Sequence, residues 1–144
     1  MARFAALQPN NAEASYYYAL TLWKTADRNK RVTEVESLLQ KSVAMDPTFG
    51  KAYLQLGIVY GEQKDSFKAI QALQKAVSVE PGLEEAHYRL GLAYAAIGEK
   101  QKADQEISTY KRLSKESADR LQLERHDLKQ FVYTLRNDGA AATK

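Results

Sequence analysis

Side chains able to do covalent, metal or acid–base chemistry are sparse. The 144 residues contain two histidines, His87 and His126, and no cysteine. Without thiols there is no disulfide framework, no thiolate metal site and no cysteine nucleophile. His126 has Gln122 and Gln130 at its i±4 positions, and neither is a useful metal ligand. The paired carboxylates Glu84 and Glu85 stand where a helix opens, so they complement the helix dipole rather than forming an acid–base pair. Lys24, Arg28, Lys30 and Arg31 cluster in a polar stretch. They read as a solvated turn, with a phosphate or an acidic partner as the alternative. Gly57 and Gly61 form a G-x-x-x-G inside an amphipathic segment, a packing device here. No G-x-S-x-G, H-E-x-x-H or G-x-x-x-x-G-K-[ST] occurs. Catalysis is not expected, and no metal or cofactor is expected.

Whatever the chain does must therefore come from the surface its elements build. The length suits one domain. Hydrophobic residues make up 44% and charged residues 27%, an ordinary globular balance. Ten Gly and Pro together are too few for a linker-rich chain. The net charge of +3 comes from 21 basic and 18 acidic residues mixed along the chain. No one-sided basic stripe marks a nucleic-acid reader, so no nucleic-acid partner is expected. No apolar run approaches the roughly 20 residues that a membrane-spanning helix needs, so no membrane span is expected. The N-terminal stretch is too short and too weakly basic for a signal peptide.

Three prolines punctuate the chain, and Pro47 and Pro81 are 34 residues apart. Aligning on them lays Ala52-Tyr53-Leu54-Gln55-Leu56-Gly57-Ile58-Val59-Tyr60 over Ala86-His87-Tyr88-Arg89-Leu90-Gly91-Leu92-Ala93-Tyr94. Ala69, Leu73 and Ala76 fall over Ala103, Ile107 and Tyr110. A looser first unit leads from Pro9 into Ala14–Leu22, with Ala19 where Gly57 and Gly91 stand. Its second half, Val35, Leu39 and Ser42, aligns after a four-residue insertion around residues 26–31. Within each unit apolar residues recur at helical spacing, and no alternating strand pattern appears. Asp65 is placed to cap a helix. Thr33-Glu34-Val35-Glu36 resembles a capping box. Gly98 suits the position just past a helix end.

A 34-residue helix-turn-helix repeat with these markers resembles the tetratricopeptide repeat family. The small residue is Ala19, Gly57 or Gly91, and the aromatic or leucine three positions on is Leu22, Tyr60 or Tyr94. The second-helix residue is Val35, Ala69 or Ala103, and Pro47 and Pro81 close units. The small residue lets the two helices of a unit approach closely. The resemblance implies an all-α fold: a right-handed superhelical solenoid of three helix pairs plus a C-terminal capping helix. Residues 1–9 are expected to end the helix of a preceding repeat, as in the C-terminal part of a longer repeat protein. The repeats are expected over 10–114 (about 10–46, 47–80 and 81–114), an amphipathic helix over 115–137, and a disordered tail over 138–144. From Glu99 to Asp138 there is neither Pro nor Gly, so the last helix either runs on or breaks weakly near 114–117. Leu121, Leu128 and Leu135 are seven apart with Phe131 and Val132 alongside. This helix covers the last unit or joins a second copy in a homodimer.

The resemblance also implies a site. First helices of successive units line a concave groove that binds a protein or peptide. Carried over position by position, unit one contributes Glu13, Tyr16, Tyr17, Leu20, Trp23 and Lys24. Unit two contributes Lys51, Leu54, Gln55, Ile58, Gly61 and Glu62. Unit three contributes Glu85, Tyr88, Arg89, Leu92, Ala95 and Ala96. His87 takes a helix-packing position. Some family members clamp a C-terminal carboxylate with basic and amide side chains. The matching positions here are Tyr16, Leu20, Gln55, Glu85 and Arg89, and only Arg89 fits. The expected ligand is an apolar or amphipathic segment lying on Tyr16, Leu20, Trp23, Leu54, Ile58, Tyr88 and Leu92. Lys24, Lys51, Glu62, Glu85 and Arg89 would steer it from the rim. The alternative is that several of these residues belong to the inter-helix core. Replacing Leu54 or Leu92 by Asp is expected to weaken binding while sparing the fold.

Overall fold

The computed structural model describes residues 11–25 and 29–142, with side chains through Gly139. The segment 1–9 and part of the insertion lie outside the described residues. Within them are six α-helices and no strand: α1 (Ala12–Trp23), α2 (Val32–Met45), α3 (Gly50–Glu62), α4 (Ser66–Val79), α5 (Glu84–Ala96) and α6 (Lys100–Ala142). No described helix is long and apolar enough to cross a membrane.

Helices α1 to α5 pack in sequence, each against the next, and α3 also touches α5. This is an all-α solenoid of stacked helix pairs. Its core is one continuous cluster through the stack. Val35, Leu39, Val59, Leu73 and Leu90 are almost completely buried within it.

Local signals explain the helix boundaries. Asn11 caps α1, its side-chain oxygen accepting from the Ala14 amide at 2.9 Å. Asp65 caps α4 in the same way, accepting from the Lys68 amide at 3.1 Å. Gly98 follows the end of α5 with φ +83°, the left-handed residue that closes a helix. The capping box expected at Thr33 is not used. The Val35 amide already bonds the Arg31 carbonyl at 2.9 Å, so α2 is running before Thr33 is reached, and its N-cap makes no side-chain bond.

The 34-residue period is written into the hydrogen bonds. The Asp65 amide bonds the Tyr60 carbonyl at 2.9 Å, and the Glu99 amide bonds Tyr94 at the same distance. Gln40 Nε2 donates to the Tyr60 hydroxyl at 3.3 Å and Gln74 Nε2 to the Tyr94 hydroxyl at 2.7 Å. Lys68 stands 5.7 Å over the Tyr60 ring, and Lys102 stands 5.7 Å over Tyr94.

The C-terminal part corrects two expectations. Helix α6 is a single helix of 43 residues: of the two alternatives it runs on through 114–117, and 115–137 is not the separate element expected. Residues 138–142, expected to be disordered, continue it. The reason is the missing punctuation: only Gly139 interrupts the run of helix-compatible residues. A lone Gly costs about 1 kcal/mol in a helix without stopping it. The chain divides into two compact units, Met1–Tyr110 and Lys111–Lys144. In the second, every side chain from Ala118 to Gly139 is exposed. The apolar residues expected to form a cap, Leu121, Leu128, Phe131, Val132 and Leu135, are all exposed.

Candidate partner-binding groove

Close helix approach creates the site. A Cβ at Gly57 would lie 2.6 Å from Leu73 Cδ2, and one at Gly91 would lie 2.8 Å from Ile107 Cδ1. The two glycines therefore let α3 sit on α4, and α5 on the start of α6. A Cβ at Gly61, one turn beyond Gly57, would meet open space. That space is a cleft of about 200 Å³. Its walls are Ile58 and Glu62 on α3 and Arg89 and Leu92 on α5. Gly57, Gly61, Ala93 and Ala96 leave it open, and α4 closes its back with Ser66, Ala69 and Leu73.

Six carried-over residues, Ile58, Gly61, Glu62, Arg89, Leu92 and Ala96, thus share one cleft. Leu92 is exposed and Ile58 half-buried. Arg89 is held by Glu85 one helical turn away, Nη2 to Oε1 at 3.4 Å. Its Nε is buried and, among the described residues, has no acceptor. A buried donor without a partner is costly; the exposed part of Arg89 is the end of its guanidinium, at Nη2 beside Glu85.

The other carried-over residues are placed differently. Tyr16 is buried, its ring edge-on to Tyr17 at 5.2 Å and to Phe49 at 4.9 Å. Burial pushes its hydroxyl above the usual tyrosine range, with Tyr17 and the Glu85 carboxylate adding to the shift. Leu54 and Gln55 are also buried, and Leu54 belongs to the core cluster. Tyr88 is partly exposed, but its ring leans on Tyr110 at 5.1 Å. Tyr17, Lys24, Lys51, Glu62 and Glu85 are exposed, while Leu20 and Trp23 are half-buried and pack on the core. Burial of Leu54 overturns one expectation: an aspartate there would put a charge inside the core, so that variant cannot spare the fold.

Sequence spacing missed the back wall of the cleft, Ser66, Ala69 and Leu73, because it assigned the groove to first helices only. The pairing of Gly57 with Leu73 was the available signal. His87 is a packing residue: Nδ1 lies 2.6 Å from Glu106 Oε2 and Nε2 lies 2.7 Å from the Pro81 carbonyl. No group of three potential metal ligands occurs among the described residues.

Two segments, residues 38–71 and 85–119, each match a tetratricopeptide repeat profile. Solved structures agree. A crystal structure of MamA is 27% identical, with a TM-score of 0.71 over 81% of this chain and 66% of that one. A MamA RS-1 double mutant is 26% identical, with a TM-score of 0.67 over 78% of this chain and 61% of that one. The chain thus spans less than two thirds of the length of these MamA structures. The second tetratricopeptide domain of Spaghetti (RPAP3), solved with an HSP90 peptide, SRMEEVD, is 16% identical, with a TM-score of 0.66 over 75% of this chain and 97% of that one. No curated protein sequence matches. Residues 38–71 and 85–119 are thus tetratricopeptide repeats, set in a fold shared with solved tetratricopeptide proteins. The chain carries a protein-interaction module of a typically non-catalytic kind.

Proposed function

We propose that the groove between α3 and α5 binds an apolar or amphipathic segment of a partner protein. One large apolar side chain enters the cleft between Ile58 and Leu92, and a backbone or side-chain oxygen of the partner accepts from the exposed end of the Arg89 guanidinium. The cleft carries this reading: a hollow of about 200 Å³ lined by Ile58, Leu73 and Leu92, with Glu62 and Arg89 on its walls. It suits one aliphatic or aromatic side chain rather than a drug-sized ligand, whose pockets run to roughly 300–1,000 Å³.

The peptide in the Spaghetti structure, SRMEEVD, has an acidic end. Here the positions that would clamp such an end hold Tyr16, Leu20, Gln55 and Glu85, with Arg89 as the sole cation. Glu85 would repel an acidic terminus. Glu62 and Glu85 at the rim favour a partner segment with basic residues flanking its apolar anchor.

The test is selection from a random-peptide display library against the intact chain. Recovered peptides should share a large apolar anchor and have no need of a free C-terminus. Recovery of peptides that depend on an acidic C-terminal carboxylate would refute the reading.

A further inference from the structure

We infer that the exposed second half of α6 pairs with the same segment of a second copy, as a parallel two-stranded coiled coil over residues 118–138. This surface is separate from the groove, and the inference does not depend on the proposed function.

The side chains from Ala118 to Gly139 are exposed on all faces of the helix. Leu121, Leu128 and Leu135 are 54%, 63% and 55% exposed. They repeat every seven residues. Placing them at the d positions of a heptad puts Ala118, Arg125 and Val132 at a. The seam is then leucine at d with a β-branched residue at one a position, a combination that favours two parallel strands. A single polar residue at a, here Arg125, fixes register at some cost in stability.

Charge decides the partner and its direction. The g positions hold Glu124, Phe131 and Asp138, and the e positions hold Gln122, Lys129 and Arg136. In a parallel pair each g residue meets the e residue five places on in the other strand. Glu124 then faces Lys129 of the second copy, and Phe131 faces Arg136, an anion against a cation and a ring against a guanidinium. Glu124 also flanks Arg125 of the second copy. In an antiparallel pair e faces e and g faces g. The e positions hold no anion and the g positions no cation, so in every antiparallel register Glu124 and Lys129 are left without an opposite charge. The segment is therefore self-complementary in one orientation only.

Sedimentation equilibrium of the full chain across the micromolar range tests the inference. The expected mass at high concentration is twice the 16.2-kDa chain. Leu128→Asp should weaken dimerisation about tenfold or more while leaving repeat melting unchanged, since Leu128 touches no core. Glu124→Lys and Lys129→Glu should each weaken homodimers, and mixing the two should restore dimers. Leu121→Cys and Leu135→Cys should each form disulfide-linked dimers under mild oxidation. A chain monomeric at every concentration would overturn the inference. So would a dimer indifferent to Leu128→Asp, or cysteine variants that cross-link only with each other. Binding of a monomer to phosphatidylserine vesicles through this helix would assign the face to a membrane surface instead.

Discussion

Gly57 presses directly on Leu73: a Cβ there would fall 2.6 Å from Leu73 Cδ2, and Leu73 is 1% exposed in the core. At the equivalent position in the next repeat, Gly91 faces the flexible end of Ile107. Alanine gains about 1 kcal/mol over glycine in a helix, while overpacking costs about 1–3 kcal/mol. Gly57→Ala should therefore destabilise the chain by up to about 2 kcal/mol. Gly91→Ala should be milder, because Ile107 can rotate away. Urea unfolding of the two variants checks the order.

Lys64 occupies the place in its repeat that Gly98 holds in the next, and both have positive φ, 61° and 83°. A side chain at positive φ is strained, and glycine relieves that strain. Lys64→Gly should raise stability by about 1 kcal/mol, less the larger entropy that glycine gains on unfolding. A higher melting temperature in calorimetry is the expected result, and a lower one would contradict it.

The fold was legible because the repeat is punctuated. Pro47, Pro81, Gly57, Gly91, Asp65 and Gly98 each mark a backbone or packing event that the structure reproduces. The site was legible only in part. The family resemblance assigned Tyr16, Leu54 and Ile58 to the groove, but burial of each depends on neighbours distant in sequence. Phe49 covers Tyr16, and the core closes over Leu54, while the small residues Gly61 and Ala93 leave Ile58 open. Lys64 carries no local sign of its left-handed backbone. The length of α6 was ambiguous because nothing between Glu99 and Asp138 punctuates it.

Burial of Leu54 and exposure of Leu92 predict opposite outcomes for the same substitution. Leu54→Asp should unfold the repeats or lower their stability by several kcal/mol. Leu92→Asp should change stability by about 0.5 kcal/mol or less, as surface substitutions do. Circular dichroism melts of both variants distinguish them.

Tyrosines Tyr16, Tyr18 and Tyr60 are all pushed above the ordinary tyrosine range, in each case first by burial. For Tyr60 the bond to Glu36 at 3.1 Å adds to the shift, while the Gln40 amide opposes it. The folded state therefore holds these protons more tightly than the unfolded state. The stability they contribute is complete below pH ~10. It declines as pH rises through the unfolded value toward the folded ones. Spectrophotometric titration should show a late-ionising group of tyrosines in the native chain that merges with the rest in denaturant. Tyr60→Phe should flatten part of the alkaline loss.

The central claim is that the cleft between Ile58 and Leu92 holds the partner. Gly61→Leu tests it most directly, because a side chain there meets open space and fills the cleft without disturbing the core. Titration calorimetry of the strongest peptide recovered from a random library should show affinity for Gly61→Leu reduced about tenfold or more, with the melting temperature unchanged. An unchanged Kd, or failure to recover any peptide from the library, would contradict the account.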